Sequence, residues 1–574
     1  MPGALQVVIV YKKDISLSMT KEANTLAKML PIVGRSVGCP VAPVKLLDVR
    51  EPPNVCDVCI HLETPHPVWF SWARANVVIG YSTWHVEEWK GYWDQIDLAL
   101  FRDSASLARA TVGGGPRRLA VVAPSFVEGA KPYKELNRSG LVWFLGGSAN
   151  KRLAAEAVLP LWKEGYPELN VYTMENLLEG RELAPNVKIH VGFLKEDQKD
   201  RISTAAAGHL CLSKEAGLGY TALEAEAKGA WMMLNPFPSQ LEAFQQNPSV
   251  GWLNTPVKDG IADFSGLTTE MLEAALAPFV GFGVREAMNT LDLSLKRKAD
   301  FSTALGTLLK ETTEAIAANP PLSRHMPPLL NPGDCPPISV ITLVHGRPKF
   351  IESACLNLLS TDYPHDKIEW VVVDDSPSEE SPSHRVVRFQ NQWKGKVTYV
   401  PLHKKTSIGQ KRNIGVERAG ANILLMMDDD DHYPHTSIRR RVAYLLKGRQ
   451  QMECAVCTTI AMYDLTTGIS AVNVPPYTMS LGQRCSEATL TFTRKFWEQR
   501  PFEDSSMAEG EAFLFGRESQ VVEMPPQQII VALTHKTNTS RRAVPKGKPG
   551  CFWGFPRELL EFLHGLVGVK VEAA

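Results

Sequence analysis

The chain has 574 residues, of which 44% are hydrophobic, with 62 lysines and arginines against 62 aspartates and glutamates. Its length asks for several folding units, and its hydrophobic share is that of a globular protein rather than a disordered one. The balanced charge argues against nucleic acid as the main partner, because such binders carry a basic excess.

The first residues, MPGALQVVIVYKKD, lack a basic leader segment, and their short apolar run reads as a first strand. No apolar run approaches the roughly 18 residues of a membrane span. A cytoplasmic location is expected, at most peripheral at a cytosolic membrane face. Apolar runs at 5–11, 57–63, 76–81 and 98–101 alternate with helical stretches and predict a first α/β unit over residues 1–135. That unit is rich in tryptophan (Trp69, Trp72, Trp84, Trp89, Trp93), which fills cores and stacks on sugars. After Pro116–Pro124 the pattern restarts. Strands are predicted at 141–147, 170–174, 187–193, 209–213 and 231–235, with helices at 149–165 and 219–230. This second unit covers 136–318, and both units read as Rossmann type.

Residues 319–336 are crowded with proline, lack periodicity and read as a semi-rigid linker. A third α/β unit follows over 337–545. Strands are predicted at 338–344, 368–374, 396–402 and 423–427, with helices at 350–360 and 407–420. Ser407 and Gln410 stand at capping-box spacing. The continuous apolar strands imply a largely parallel sheet, buried on both faces. The tail, 546–574, contains the amphipathic stretch RELLEFLHGLVGVKV, expected to dock on the body rather than on a membrane.

Ten cysteines fit free thiols in a reducing compartment. The pairs Cys56/Cys59 and Cys454/Cys457 have CxxC spacing, but both lie in β-prone runs. On a strand, positions i and i+3 face opposite sides, so neither pair would chelate one ion.

The stretch ANILLMMDDDDHYP, 421–434, carries the strongest chemistry. An apolar strand delivers four consecutive aspartates to its carboxyl end, where open α/β sheets bind ligands. Four adjacent carboxylates repel, and a divalent cation resolves the conflict. Asp428 and Asp430, in D-x-D spacing, face one side if the chain stays extended. Two other predicted strands end in His345-Gly346-Arg347 and in Asp374-Asp375, and sheet geometry would bring them to the same rim.

These segments together, ISVITLVHGRP, VVVDDSP and GQKRNIGVERAGANILLMMDDDDHYP, resemble glycosyltransferase family 2, with its GT-A fold. The resemblance spans about 337–545. It implies that Asp428 and Asp430 hold Mn²⁺ or Mg²⁺ on the diphosphate of a nucleotide sugar, and that His535 completes the metal site. It implies nucleoside contacts from Asp375 and Asp374, and neutralisation of the diphosphate by Lys411 and Arg412. The general base of an inverting transfer would be Glu509 or Glu511 in SSMAEGEAFLFGRE, where the family usually has adjacent Glu-Asp. The first loop departs from the family's Pro-Thr-Tyr-Asn and reads Leu343-Val344-His345-Gly346. The basic stretch 541–548 would lie in a loop over the donor phosphates.

The segment NVKIHVGFLKEDQKDRISTAAAGHLCLSKEAGLGYTALEAEAKGA, 186–230, is similar to the second half of a GT-B, family-4 glycosyltransferase. The resemblance implies a ribose contact from Glu224 and a sugar contact from Glu215, which stands one residue too early for the family's Glu-x₇-Glu. It also implies phosphate pairing by Lys151 and Arg152. Residues 217–219 form a glycine-rich turn before a helix, which suits phosphate. The first unit would then take the acceptor.

The expected protein is thus a two-module transferase acting on a glycan or glycoconjugate hydroxyl. Its GT-A module would invert with a metal, and its GT-B module would retain without one. Alternatively, the N-terminal half only docks acceptor or scaffolds. A metal-dependent nucleotidyltransferase is the reading from another class. It would release pyrophosphate rather than nucleoside diphosphate, and the glycine-rich phosphate loop it needs is missing from TLVHGRPKF.

Overall fold

The computed structural model describes residues 3–13, 17–51, 53–80, 92–93, 95–111, 115–116, 119–122, 140–175, 182–215, 219–318, 328–447, 452–476, 479–538, 549–551 and 553–569. Part of the linker, Trp84, Trp89, the boundary at 135/136 and the basic stretch 541–548 lie outside these residues.

The first sheet contains β1 (Val7–Tyr11), β2 (Lys45–Asp48), β3 (Cys56–Glu63), β4 (Ala73–Gly80), β5 (Leu98–Phe101) and β6 (Leu119–Val122), with helices α1 (Leu17–Ser36) and α2 (Ser104–Thr111). Its order is β2-β1-β3-β4-β5-β6, parallel throughout. The chain leaves β1 for one side and returns on the other, which opens a crevice at the carboxyl ends of β1 and β3.

The second sheet contains β7 (Leu141–Gly146), β8 (Leu169–Thr173), β9 (Val187–Val191), β10 (Gly208–Leu210), β11 (Trp231–Leu234) and β12 (Val250–Trp252). Its order is β12-β11-β10-β7-β8-β9, again parallel, with its switch between β7 and β10. Helices α3 (Ala149–Val158), α4 (Glu196–Ala205), α5 (Tyr220–Ala227), α6 (Pro238–Phe244) and α7 (Thr269–Val280) accompany it, with a small hairpin of β13 (Val257–Lys258) and β14 (Ile261–Ala262). The helix α8 (Val284–Ala318) crosses back to the first sheet. Near its start, Ala287 and Leu291 close against Gly229 beside α5. Further along, Phe301, Leu305, Leu308 and Leu309 join Val7, Ile9 and Ile60 in the core of the first unit. The boundaries 1–135 and 136–318 divide the sequence, but packing gives the end of α8 to the first core. A local pattern of apolar residues does not say which sheet they will cover.

The C-terminal half has a mixed sheet of seven strands in the order β17-β16-β15-β18-β22-β19-β23. These are β15 (Ile338–Val344), β16 (Ile368–Asp374), β17 (Lys396–Pro401), β18 (Ile423–Met426), β19 (Cys454–Cys457), β22 (Thr491–Thr493) and β23 (Val521–Met524). Only β22 runs antiparallel to its neighbours. A smaller sheet joins β20 (Ile460–Asp464), β21 (Ser470–Asn473) and β24 (Val531–Thr534). The helices are α9 (Ile351–Ser360), α10 (Ser383–Gln390), α11 (Ile408–Arg418), α12 (Ser437–Leu446), α13 (Leu481–Arg484), α14 (Arg494–Gln499), α15 (Glu509–Leu514) and α16 (Arg557–Leu566). Ser407 caps α11 by accepting from the Gln410 backbone at 3.2 Å, while the Gln410 side chain reaches Asp504 instead of closing the box. In the tail, α16 docks Leu563 against Tyr463, Leu465 and Leu533, and His564 bonds the Tyr463 hydroxyl at 3.0 Å.

Cys56 and Cys59 are buried on β3, and Cys454 and Cys457 are buried on β19. Burial pushes the Cys457 thiol up to about 12, which suppresses the reactive thiolate. Among the described residues, no helix is long and apolar enough to cross a membrane.

Candidate functional sites at the carboxyl edges of the sheets

The aspartate run begins where β18 ends. Met426 and Met427 are buried, and the chain turns directly after Asp428. That turn changes the expected alternation. Carboxylate oxygens of Asp428, Asp430 and Asp431 all lie within 4.8 Å of one another. Asp431 also accepts from the Leu533 backbone at 2.9 Å, and His432 pairs with Val531 in both directions. The strand β24 is thereby fixed beside the cluster.

His535 follows β24. Its Nε2 lies 3.1 Å from Asp430 Oδ2, its ring stacks on Phe350 at 4.4 Å, and Thr537 bonds its Nδ1 at 2.9 Å. Asn538 donates to the same Asp430 oxygen at 3.2 Å. Here His535 orients a carboxylate and stands outside the group of three converging carboxylates. Arg347, from the loop after β15, donates to Asp429 Oδ1 at 2.7 Å and to Asp430. Burial pushes the Asp429 carboxyl up to about 8 despite Arg347. Burial and repulsion from Asp430 also raise Asp428, against the pull of Arg412. Asp430 shifts the other way, because His535 and Arg347 outweigh its burial.

On the opposite wall, α11 places Lys411 and Arg412. Lys411 Nζ donates to Asp375 at 2.6 Å and to the Val344 carbonyl at 2.9 Å. Arg412 donates to Glu509 Oε1 through Nε at 3.1 Å and Nη2 at 2.9 Å. Its Nη1 is buried without a partner among the described residues. A buried guanidinium with an unmet donor favours an anion. Glu509 is presented by Ala508, whose φ of 53° is left-handed, so the chain swings into α15 with the carboxylate turned inward.

A cleft of about 380 Å³ joins these walls and is lined by Arg347, Lys411, Arg412, Asp428, Asp430 and Glu509, among others. Glu511 does not line it. It belongs to an adjoining hollow of about 470 Å³ with Arg500, Glu503 and Phe515, which Glu509 also lines. Asp374 accepts from the Ser376 backbone and the hydroxyls of Ser381 and Tyr399, so its bonds build the loop after β16. Asp375 accepts from Lys411 and from the Thr406 backbone.

Three participants fall outside the sequence reading. Arg347 was legible only as part of a strand end. Asp431 needed the turn after Asp428. Glu487 lines the cleft and accepts from the Gly510 backbone at 3.4 Å. Burial and then Glu509 raise its pKa. Nothing in the pattern RCSEATL announces it.

Residues 339–487 match the model of the family described as Glycosyl transferase family 2. This segment is a glycosyltransferase family 2 module. With β22 antiparallel to its neighbours, the sheet that this segment begins and residues beyond 487 complete is the GT-A-like mixed sheet. The module carries the aspartate cluster, Arg347, Lys411 and Arg412, and it ends at Glu487. Glu509, Glu511 and His535 lie beyond the matched residues. No curated protein matches the sequence.

Among solved structures, the chain is similar to a mannosyltransferase from Pyrobaculum calidifontis in complex with GDP-Man and Mn²⁺. The identity is 18% and the TM-score 0.29, over 36% of this chain and 59% of that one. It is similar to S. aureus TarS residues 1–349 in complex with UDP-GlcNAc at 16% identity and a TM-score of 0.28, over 35% and 60%. A GtfA/B complex gives 14% identity and a TM-score of 0.34, over 45% of this chain and 57% of that one. The chain thus spans less than two thirds of each. At these TM-scores the likeness says nothing about chemistry.

The N-terminal half has two parallel Rossmann-like sheets. Their carboxyl edges face each other, because Lys21 of α1 pairs with Glu224 of α5 at 2.8 Å and Ser104 donates to Glu242. Lys199 takes the other Glu224 oxygen at 2.7 Å. Lys151 lies half-buried close by, with Nζ on the Phe144 carbonyl at 3.2 Å, and desolvation lowers its pKa. Glu215 accepts from Asn150 at 3.3 Å. Arg152 turns outward to Glu175. Lys21 and Lys199 are additions that only the meeting of the two units brings to the site. The glycine-rich turn is described only at Gly219, which caps α5 with φ 81°.

Proposed function

We propose that the family 2 module transfers a sugar from a nucleotide diphosphate sugar to a hydroxyl of a glycan or glycoconjugate, with inversion. The observation that carries this reading is the convergence of three carboxylates with the Arg412–Glu509 pair in one cleft, which the matched segment shares with residues beyond it. The donor set fits a hard divalent cation, Mn²⁺ or Mg²⁺. Asp428, Asp430 and Asp431 would hold it, with His535 and Asn538 orienting Asp430. The ion would supply charge for the departing diphosphate.

The chain's own groups do the rest. Arg412 has a free donor for a phosphate oxygen, and Lys411 adds positive charge to the same wall. Glu509 accepts the acceptor's hydroxyl proton as the new bond forms at the anomeric carbon. Glu511 is the second choice, because it opens on the adjoining hollow. Nucleoside diphosphate leaves. A panel of nucleotide sugars with Mn²⁺, run on wild type and on Asp430→Ala, tests the reading. Turnover in the wild type releasing nucleoside diphosphate, and its loss in the variant, are expected. Unchanged turnover in Asp430→Ala rejects the metal assignment, and pyrophosphate release would point to a nucleotidyltransferase.

For the N-terminal half we infer a second nucleotide-sugar site of GT-B type, transferring with retention. Lys21, Lys151 and Lys199 about Glu224 support it. The competing reading is a docking or scaffold module, favoured by Arg152 facing outward and by Glu215 standing out of register. Calorimetry with nucleotide sugars on the full-length Asp430→Ala protein, without metal, separates the two. Absence of binding rejects the second site.

A further inference from the structure

The two halves of the chain meet at a buried polar group that neither site uses. Tyr92, from the first unit, is 2% exposed, while Arg484 on α13 and Glu523 on β23 are 4% and 3% exposed. Arg484 donates to Glu523 through Nη1 at 3.0 Å and Nη2 at 3.2 Å. The Tyr92 hydroxyl donates to Glu523 Oε1 and accepts from Arg484 Nη2 at 2.6 Å. Thr458 donates to the other Glu523 oxygen at 2.5 Å. An ion pair this deep holds only when its remaining donors and lone pairs are satisfied. Tyr92 supplies part of that closure from the other half of the chain. Phe70 and Tyr92 meet edge-on at 6.1 Å, within a cluster that includes Val78, Ile96 and Phe101.

What Arg484 holds matters for the cleft. Its Nε braces the Met479 carbonyl at 3.1 Å, beside the capping box of Ser480 and Gln483. Gly482 on the same helix lies so close to α15 that a Cβ there would stand 2.6 Å from the Glu511 Cα. Three residues beyond Arg484, Glu487 lines the cleft and accepts from Gly510, again on α15. The wall that carries Glu509 therefore leans on a short helix whose last residue is held by Tyr92.

We propose that Tyr92 is a positioning residue, through which the N-terminal half holds the α13–α15 wall and so sets the Glu509 carboxylate in the cleft. This rests on Glu509 acting in the transfer. The test uses full-length Tyr92→Phe. Mn²⁺-dependent hydrolysis of the nucleotide-sugar panel should lose roughly tenfold in kcat, the effect of one charge-assisted hydrogen bond. KM for the nucleotide sugar should stay within about twofold, because the aspartate cluster is untouched. Amide exchange should accelerate over 480–487 and 509–514 and stay unchanged over 338–344. Arg484→Lys should show the same split, and the double variant should be no worse than Arg484→Lys alone. Tyr166→Phe, which removes another bonded hydroxyl of the N-terminal half, should change nothing.

Unaltered exchange over 480–487 and 509–514, or kcat and KM moving together, overturns the proposal. A wild type without turnover overturns the transferase reading instead, and the exchange measurement still decides the role of Tyr92.

Discussion

The two crevices of this chain are electrostatic opposites. In the C-terminal half, Asp428, Asp429, Asp430 and Asp431 gather with Glu487 and Glu509 around Arg347 and Arg412, leaving carboxylates in excess. In the N-terminal half, Lys21, Lys151 and Lys199 gather around Glu224, and Glu196 also pairs with Lys21, leaving one ammonium group in excess. Both sit at carboxyl edges of parallel strands, so the fold alone does not set the difference. An excess of carboxylates asks for a cation before it can take a diphosphate, and an excess of lysines takes the anion directly.

The comparison breaks most visibly at Asp430. Asp430→Ala should lower nucleotide-sugar turnover by roughly a thousandfold or more, and chelation of the wild type should do the same. Steady-state release of nucleoside diphosphate measures both. Glu509→Gln should cost on the order of 10²-fold in kcat with little change in KM, while Glu511→Gln should cost less. An equal loss in both would remove the distinction between cleft and hollow.

Stability tests sharpen the geometry of the walls. A Cβ on Gly409 would stand 1.8 Å from the Glu503 carbonyl oxygen, at the start of the helix bearing Lys411 and Arg412. Gly409→Ala should therefore destabilise the family 2 module by about 3 kcal/mol, read in a denaturant titration.

A pH titration probes the N-terminal half. Burial depresses the pKa of His61 from 6.5 to about 4, against the hydrogen bond with Asn76. The neutral ring is thus favoured in the folded state. Its contribution is complete above pH 6.5 and is lost as pH falls toward 4. At pH 5 that loss is about 2 kcal/mol. His61→Gln should reduce the slope of the stability profile between pH 6.5 and 4 without abolishing it, because the buried His66 and His209 are shifted the same way, and an unchanged slope would reject the assignment. The smallest effect is expected at Lys151. In the Asp430→Ala background, Lys151→Ala should weaken nucleoside diphosphate binding by roughly tenfold, with no metal dependence. Metal-dependent binding there would erase the contrast between the two crevices.

Much of this was legible in the residues because it is local. The apolar runs 338–344, 368–374 and 423–427 mark strands, and the charged groups just after them mark a ligand-binding rim. D-x-D spacing at a strand end marked Asp428 and Asp430, but the turn after Asp428, not strand alternation, brings their carboxylates together. Which of Glu509 and Glu511 lines the cleft did not follow, because it depends on the left-handed turn at Ala508. Asp431 joined through the turn after Asp428. Arg347 and Glu487 arrived from loops distant in sequence.

By itself, the sequence determined the longer apolar strands of the three large sheets, where their carboxyl ends fall and what charge those ends carry, but not short strands such as β2, β6, β12 and β22. Apolar periodicity and strand termini are properties of neighbouring residues. Only the tertiary structure decided that α8 returns to the first sheet, that Lys21 meets Glu224, and that Tyr92 closes the Arg484–Glu523 pair. Those contacts join residues hundreds of positions apart, and they form only once the separate cores are packed together.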